Sequence, residues 1–71
     1  MANEFKMARV ISDMTLAQAA QASGLSEATY PLHREGNPGK FRLEELNGLY
    51  RSMNKQAREA LLIAVKHEIC R

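Results

Sequence analysis

Residues 15–36 read TLAQAAQASGLSEATYPLHREG and contain several signals for the start and the end of helices. Thr15 and Gln18 have the spacing of a capping box, in which a threonine hydroxyl accepts from the amide three residues later and the glutamine side chain reaches back. They predict the start of a short helix over residues 16–22. Gly24 predicts its end, because glycine adopts the left-handed conformation that closes a helix without steric cost.

A second short helix is predicted directly after this turn. Ser26 is a favourable N-cap, so only about three residues separate the two helices. The second helix is expected over residues 27–35, before the loop that begins at Gly36. Two short helices joined by a turn that contains glycine form a helix-turn-helix, which delivers its second helix into the major groove of DNA.

Pro31 falls in the middle of this second helix. Inside a helix, proline costs roughly 3 kcal/mol, because it lacks an amide hydrogen and its ring crowds the carbonyl four residues earlier. That carbonyl belongs to Glu27, so only the first hydrogen bond of the helix is lost. Either the helix bends at Pro31, or it is interrupted and a new turn begins with Pro31 at its first position, where proline is well tolerated.

Three further helices are expected around this pair. Apolar residues at helical spacing predict one helix over residues 3–13 and another over residues 42–52. Asn54 is a favourable N-cap for the last helix, residues 55–69. The sequence therefore predicts an all-α, compact five-helix domain that takes up the whole chain of 71 residues.

Composition and charge limit the classes of function. The chain is 45% apolar and 25% charged, which suits a small core and excludes a disordered tail. No apolar run reaches about 18 residues and no secretion signal is evident, so a cytoplasmic protein without membrane contact is expected. The net charge of +2 permits nucleic-acid binding without requiring it. Cys70 is expected to be a free thiol, the alternative being a metal site shared with His67.

The joint spacing of these residues resembles that of the Cro and phage-repressor type of helix-turn-helix regulators, whose fold is lambda-repressor-like. The matching positions run without an insertion through residues 14–36 and continue into the next helix: Thr15, Ala20, Gly24, Leu25, Ser26, Tyr30, Gly36, Leu43 and Leu46. The resemblance implies a small phage or prokaryotic transcriptional regulator, a repressor, that binds double-stranded DNA sequence-specifically as a homodimer on a two-fold-related operator.

The chain departs from the family pattern at four positions: Leu16, Ser23, Pro31 and His33. Family members usually carry a glutamine at the first position, where it helps to grip phosphate, and this puts that contact in question here. They also carry a larger apolar residue at the position of Ser23 and an aliphatic residue at that of His33.

The resemblance implies two sets of DNA contacts. The candidates for reading base edges are Glu27, Ala28, Thr29, Pro31 and Leu32, with Glu35 at the margin. Ala28 and Leu32 suit thymine methyl groups, and Glu27 suits the cytosine amino group as an acceptor. The candidates for contacts to the DNA backbone are Thr15, Gln18, Ser26, His33, Arg34, Lys40 and Arg42.

Structural interpretations of the same residues stay open. The capping box formed by Thr15 and Gln18 needs no ligand, and the basic residues after the second helix also suit a solvated loop. His33 also suits a partly buried position. The apolar side of the last helix, with Leu61, Leu62, Val65 and Ile69, either completes the core or forms the dimer contact.

Nothing in the sequence indicates an enzyme, and no cofactor, metal or small-molecule ligand is expected. A phosphate-binding glycine loop, metal-ligand spacing and room for a substrate pocket are all lacking. The alternative function is a protein-interaction module, such as an antirepressor or adaptor, which the weakly hydrogen-bonding residues around Glu27 and Pro31 favour. A third is architectural DNA packaging without sequence preference.

Overall fold

The computed structural model describes residues 3–70, which form helices and turns and no strand. The helical elements are α1 (Glu4–Ile11), α2 (Leu16–Ser23), a π turn (Pro31–Glu35), a 3-10 turn (Pro38–Lys40), α3 (Leu43–Ser52) and α4 (Lys55–Ile69). The all-α class is therefore confirmed, and four of the five predicted helices have an α-helical counterpart within about two residues of each expected end.

The predicted local signals start and end the helices as expected. Thr15 Oγ1 accepts from the Gln18 amide at 3.1 Å, and the Gln18 side chain accepts from the Thr15 amide at 2.9 Å. Gly24 ends α2 in the left-handed region with φ 81°. Asn54 begins α4 by accepting from the Ala57 amide at 2.8 Å. Each of these contacts satisfies a backbone group that a helix end would otherwise leave unpaired.

The segment predicted as a helix over residues 27–35 follows a different course. Ser26 accepts from the Thr29 amide at 3.1 Å, as an N-cap should, but residues 27 and 28 form a turn and helical backbone begins at residue 29. From Pro31 the backbone widens into the π turn, in which the Gly36 amide donates to the Pro31 carbonyl at 2.9 Å. The segment is therefore helical over residues 29–35, in place of the α-helix predicted over residues 27–35. Pro31 has no amide hydrogen to donate to the preceding turn, and the wider π turn begins at this residue.

The core is made of small and aromatic side chains between two packed helix pairs, α1 with α4 and α2 with α3. The Phe5 and Phe41 rings stack with their centroids 4.9 Å apart, and Tyr30 meets Phe41 edge to face at 6.1 Å. The buried apolar residues are Phe5, Ala8, Ala19, Ala20, Tyr30, Leu49, Met53, Ala57, Leu61 and Ala64. The aromatic group joins the loop after the π turn to α1, which fixes the π turn on the body of the domain.

The contact between α2 and α3 depends on small residues. A Cβ atom on Gly48 would lie 2.1 Å from the Ala22 carbonyl oxygen and 3.6 Å from the Ser23 Cα. Ser23 itself is buried, and its hydroxyl donates to the carbonyls of Ala19 and Ala20. The two backbones are thus too close for a larger side chain, which gives a physical reason for serine where the family has a bulkier apolar residue.

The apolar side of α4 is divided between the core and the surface. Leu61 is buried and Val65 is half-buried, whereas Leu62 and Ile69 are exposed. No helix within residues 3–70 combines the length and apolar content needed to cross a membrane.

Candidate nucleic-acid interface

Tyr30 anchors the segment that follows α2. Its ring is fully buried against Phe41, and among the described residues its hydroxyl has no hydrogen-bond partner in good geometry. Burial raises the pKa of this hydroxyl far above its ordinary value. The negative charge of Glu35 adds to the rise, and the positive charge of Arg9 opposes it. Tyr30 therefore stays neutral at any physiological pH and serves as a packing residue, as its spacing predicts.

Glu35 is the second anchor. Its carboxylate accepts from Arg9 Nε at 3.1 and 3.3 Å, and the same guanidinium reaches the Met14 carbonyl at 2.9 Å. The Asn3 side-chain amide donates to the Glu35 backbone carbonyl. Glu35 is buried by these contacts with α1 and the residues beside it, so its predicted place at the margin of the groove-facing set is wrong.

The opposite side of this segment is turned to solvent. Among the predicted base-reading residues, Glu27, Ala28 and Leu32 are exposed, Leu32 to 67%, whereas Thr29 and Pro31 are half-buried. Residues 26–34 therefore present an outer face of mixed character, with the apolar Ala28 and Leu32, the carboxylate of Glu27, and the polar Ser26 and His33.

Two of the predicted hydroxyl contacts are already used within the chain. Ser26 Oγ donates to Thr29 Oγ1 at 2.7 Å while it accepts from the Thr29 amide. These bonds hold the turn before Pro31 in shape. They leave neither Ser26 nor Thr29 with a simple role in reading a base or gripping a phosphate.

Arg34 is held by an acidic partner that sequence reasoning missed. Its guanidinium donates to both carboxylate oxygens of Glu45, at 2.6 and 3.1 Å, and to the His33 carbonyl at 3.0 Å. Glu45 is only 5% exposed and also accepts from the Arg42 amide at 2.9 Å. A glutamate at the third position of a helix is a capping signal that points to this bond.

The Arg34–Glu45 pair shifts the pKa of both side chains. The hydrogen bonds from Arg34 are the main reason that the pKa of Glu45 falls below its ordinary value; burial opposes them, and the Arg42 amide adds to the fall. The same bonds raise the pKa of Arg34. The pair ties the π turn to α3, and it takes up the charge that the sequence assigned to a phosphate contact.

The remaining basic candidates lie in and beside the turns that follow. His33 is exposed, so the alternative of a partly buried histidine is wrong. Lys40 ends the 3-10 turn and Arg42 precedes α3, and both are exposed. The π turn packs against the 3-10 turn, which brings Lys40 to the same part of the molecule as Leu32 and His33.

Thr15 and Gln18 lie at the far end of α2, about 13 Å and 9 Å from Gly24 along the helix axis. Within residues 3–70, no hydrogen bond or ion pair links either side chain to the π turn or to Lys40 and Arg42. Gln18 keeps its amide NH₂ group available as a donor, because only its oxygen takes part in the capping box.

At the end of α4, where the sequence left open a metal site of His67 and Cys70, the structure shows a different contact for His67. His67 Nδ1 lies 2.8 Å from Glu4 Oε1, an exposed contact between α4 and α1, and Cys70 is exposed. Among the described residues, no group of three or more histidine, cysteine or carboxylate side chains is arranged to hold a metal ion.

Comparison of the chain with models of protein families, with curated proteins and with solved structures gives no match. The resemblance to Cro and phage-repressor regulators therefore stays a prediction from the residues of this chain. The structural observations that bear on this prediction are the segment anchored by Tyr30 and Glu35 and the exposed face of that segment.

Proposed function

We propose that this chain binds double-stranded DNA as a small transcriptional regulator in the cytoplasm of a bacterial or phage-infected cell. The observation that carries the proposal is the two-sided segment after α2. Tyr30 and Glu35 fix its inner side in the domain, while Glu27, Ala28 and Leu32 lie on the outside. A short, rigidly held element with an exposed face is what base reading in a major groove requires.

In this proposal the outer face reads bases and the next turns bind phosphates. Ala28 and Leu32 contact thymine methyl groups, and Glu27 accepts from a cytosine amino group. Lys40 and Arg42 bind the DNA backbone, which adds affinity without sequence preference. Arg34 acts through Glu45 by holding the π turn on α3, and we leave it out of the phosphate contacts.

The size of the domain favours two copies on one site. A single module of this kind buries roughly 600–1,000 Å² on DNA, which limits its specificity. The molecule measures 27 × 24 × 23 Å. Two adjacent copies are therefore of a size to place equivalent segments about one DNA turn, or roughly 34 Å, apart. The expected operator has two-fold symmetry.

Selection of bound sequences from random duplex DNA tests the proposal. We expect a two-fold-symmetric site, and we expect Glu27→Gln or Leu32→Gln to change the preferred base at one position in each half-site. Glu44→Gln, an exposed carboxylate on α3, is the matched control and should keep the wild-type preference. Recovery of no preferred duplex, with the protein folded, would contradict sequence-specific binding.

The alternative of a protein-interaction module has an observation in its favour. The outer face offers few hydrogen-bond donors, and Leu32 is exposed beside Ala28. A contact of this kind keeps its affinity as salt rises, whereas phosphate contacts weaken steeply. Capture of a protein through residues 27–32, together with no affinity for any duplex at moderate salt, would favour the alternative.

A further inference from the structure

The side of the molecule formed by α3 and α4 carries an unpartnered apolar face. Leu43 is 83% exposed, Ile69 77%, Leu62 54% and Ile63 51%. Between the two helices runs a groove walled by half-buried and exposed apolar side chains, namely Leu43, Leu46, Tyr50, Leu62 and Val65. Exposed apolar side chains in this number on a small domain are typical of a surface that another molecule covers.

The charges on α4 indicate which molecule covers it. Ala57, Leu61 and Ala64 face the core. At 100° per residue, the opposite side of the helix carries residues 55, 59, 62, 63 and 66, with residue 70 just beyond its end. Glu59 and Lys66 are both exposed there, and they lie equally far, three and a half residues, from the midpoint between Leu62 and Ile63. The outer side of α4 thus has opposite charges placed symmetrically about an apolar centre.

We infer that a second copy of this chain binds here, with the two α4 helices antiparallel about a two-fold axis between Leu62 and Ile63. Such an axis places Glu59 of each copy level with Lys66 of the other, so the same favourable pair forms twice. Leu62 and Ile63 meet their own equivalents at the centre. On the α3 side, Leu43 and Ile69 extend the apolar contact.

The length of α4 suits a dimer contact. A specific interface buries roughly 600–1,000 Å² per partner, which is about an eighth to a fifth of the 4832 Å² of this molecule. Helix α4 has 15 residues and is therefore about 22 Å long, so this face spans nearly the whole molecule. No rearrangement of the fold is needed to form it.

This inference deepens the proposed function and rests on it in one respect, because DNA binding gives the reason for the chain to dimerise. The dimer is measured without DNA, so the two can fail separately. Loss of DNA binding with a stable dimer would contradict the proposed function alone, and a monomer that still binds DNA would contradict the inference alone.

Sedimentation equilibrium of the wild-type chain and two charge reversals is the test. We expect the wild type to dimerise at micromolar concentrations. E59K and K66E should each weaken the dimer about tenfold, because every substitution acts twice in a two-fold interface. An equimolar mixture of E59K and K66E should form a mixed dimer at least as tight as the wild type, because both charge pairs are then restored, one of them with reversed sign.

Leu62→Gln tests the apolar centre and should abolish dimerisation in that concentration range. Val10→Gln is the matched control, since Val10 is 58% exposed on α1, and it should leave the dimer unchanged. Circular dichroism confirms that each variant is folded. A wild type that stays monomeric up to about 1 mM, an unaffected Leu62→Gln dimer, or a mixture of charge variants no tighter than either variant alone would overturn the inference.

Discussion

At the scale of single residues, Gly48 shows how tertiary structure can reverse the effect of a residue on stability. In a helix, glycine is less favourable than alanine by about 1 kcal/mol, so the sequence alone marks Gly48 as a weak point in α3. In the structure it is where the α3 backbone meets the Ala22 carbonyl. The absent side chain is what lets α2 and α3 approach.

Gly48→Ala is therefore expected to lower the free energy of unfolding by about 2 kcal/mol, although alanine is the better helix former. The new Cβ would lie 2.1 Å from a backbone oxygen, so the helices must separate. Urea denaturation measures the change. Asn47→Ala, at an exposed position in the same helix, is the control and should leave stability unchanged or slightly higher. A more stable Gly48→Ala variant would show that the close contact is absent.

Contacts between residues that are close in the sequence were predictable, and contacts between residues that are far apart in the sequence were not. Thr15 and Gly24 complete local motifs whose geometry depends on a few adjacent residues, and both were predicted correctly. Glu35 and Glu45 are buried through arginines that lie 26 and 11 residues away. Their spacing carries no helical or strand period, so the sequence offers no direct signal for either ion pair.

At the scale of the elements, the helices with strong periodicity and caps were predicted closely. Helix α4 was expected over residues 55–69 and is observed as Lys55–Ile69. The exception is the segment around Pro31, where an α-helical pattern and a proline conflict. Whether such a helix bends or restarts depends on the packing of Tyr30 and Glu35, which the sequence does not specify.

The stability that comes from the link between the π turn and α3 is expected to depend on pH, because the link uses the carboxylate of Glu45. Its pKa is lower in the folded chain than its ordinary value of 4.5, chiefly because Arg34 binds the ionised carboxylate. The ionised form therefore stabilises the fold above about pH 5, and this contribution is lost as the pH falls through the lowered pKa. Urea denaturation between pH 7 and about pH 3 should show the loss.

Glu45→Gln should be less stable than the wild type at pH 7 and should lose less stability in acid, because the group that titrates has been removed. Glu44→Gln, at the exposed neighbouring position, is the control and should keep the wild-type loss of stability in acid. An acid profile of Glu45→Gln that runs parallel to the wild type would mean that the Arg34–Glu45 pair does not contribute.

At the scale of the whole molecule, charge distribution matters more than net charge. The chain carries only +2 overall, and Arg9 and Arg34 are both neutralised by internal glutamates. Lys40 and Arg42 remain exposed next to the π turn. In the proposed function, the DNA-backbone contacts therefore come from a small number of side chains on one part of the surface.

The salt dependence of affinity for duplex DNA tests this central claim most directly. The logarithm of the association constant should fall linearly with the logarithm of salt concentration, and the Lys40→Ala/Arg42→Ala variant should reduce that slope by about 2, one for each lost phosphate contact. Lys6→Ala/Arg51→Ala removes the same charge from exposed positions on α1 and α3 and should keep the wild-type slope. A wild-type affinity that does not change with salt, or equal slopes for all three proteins, would contradict the account.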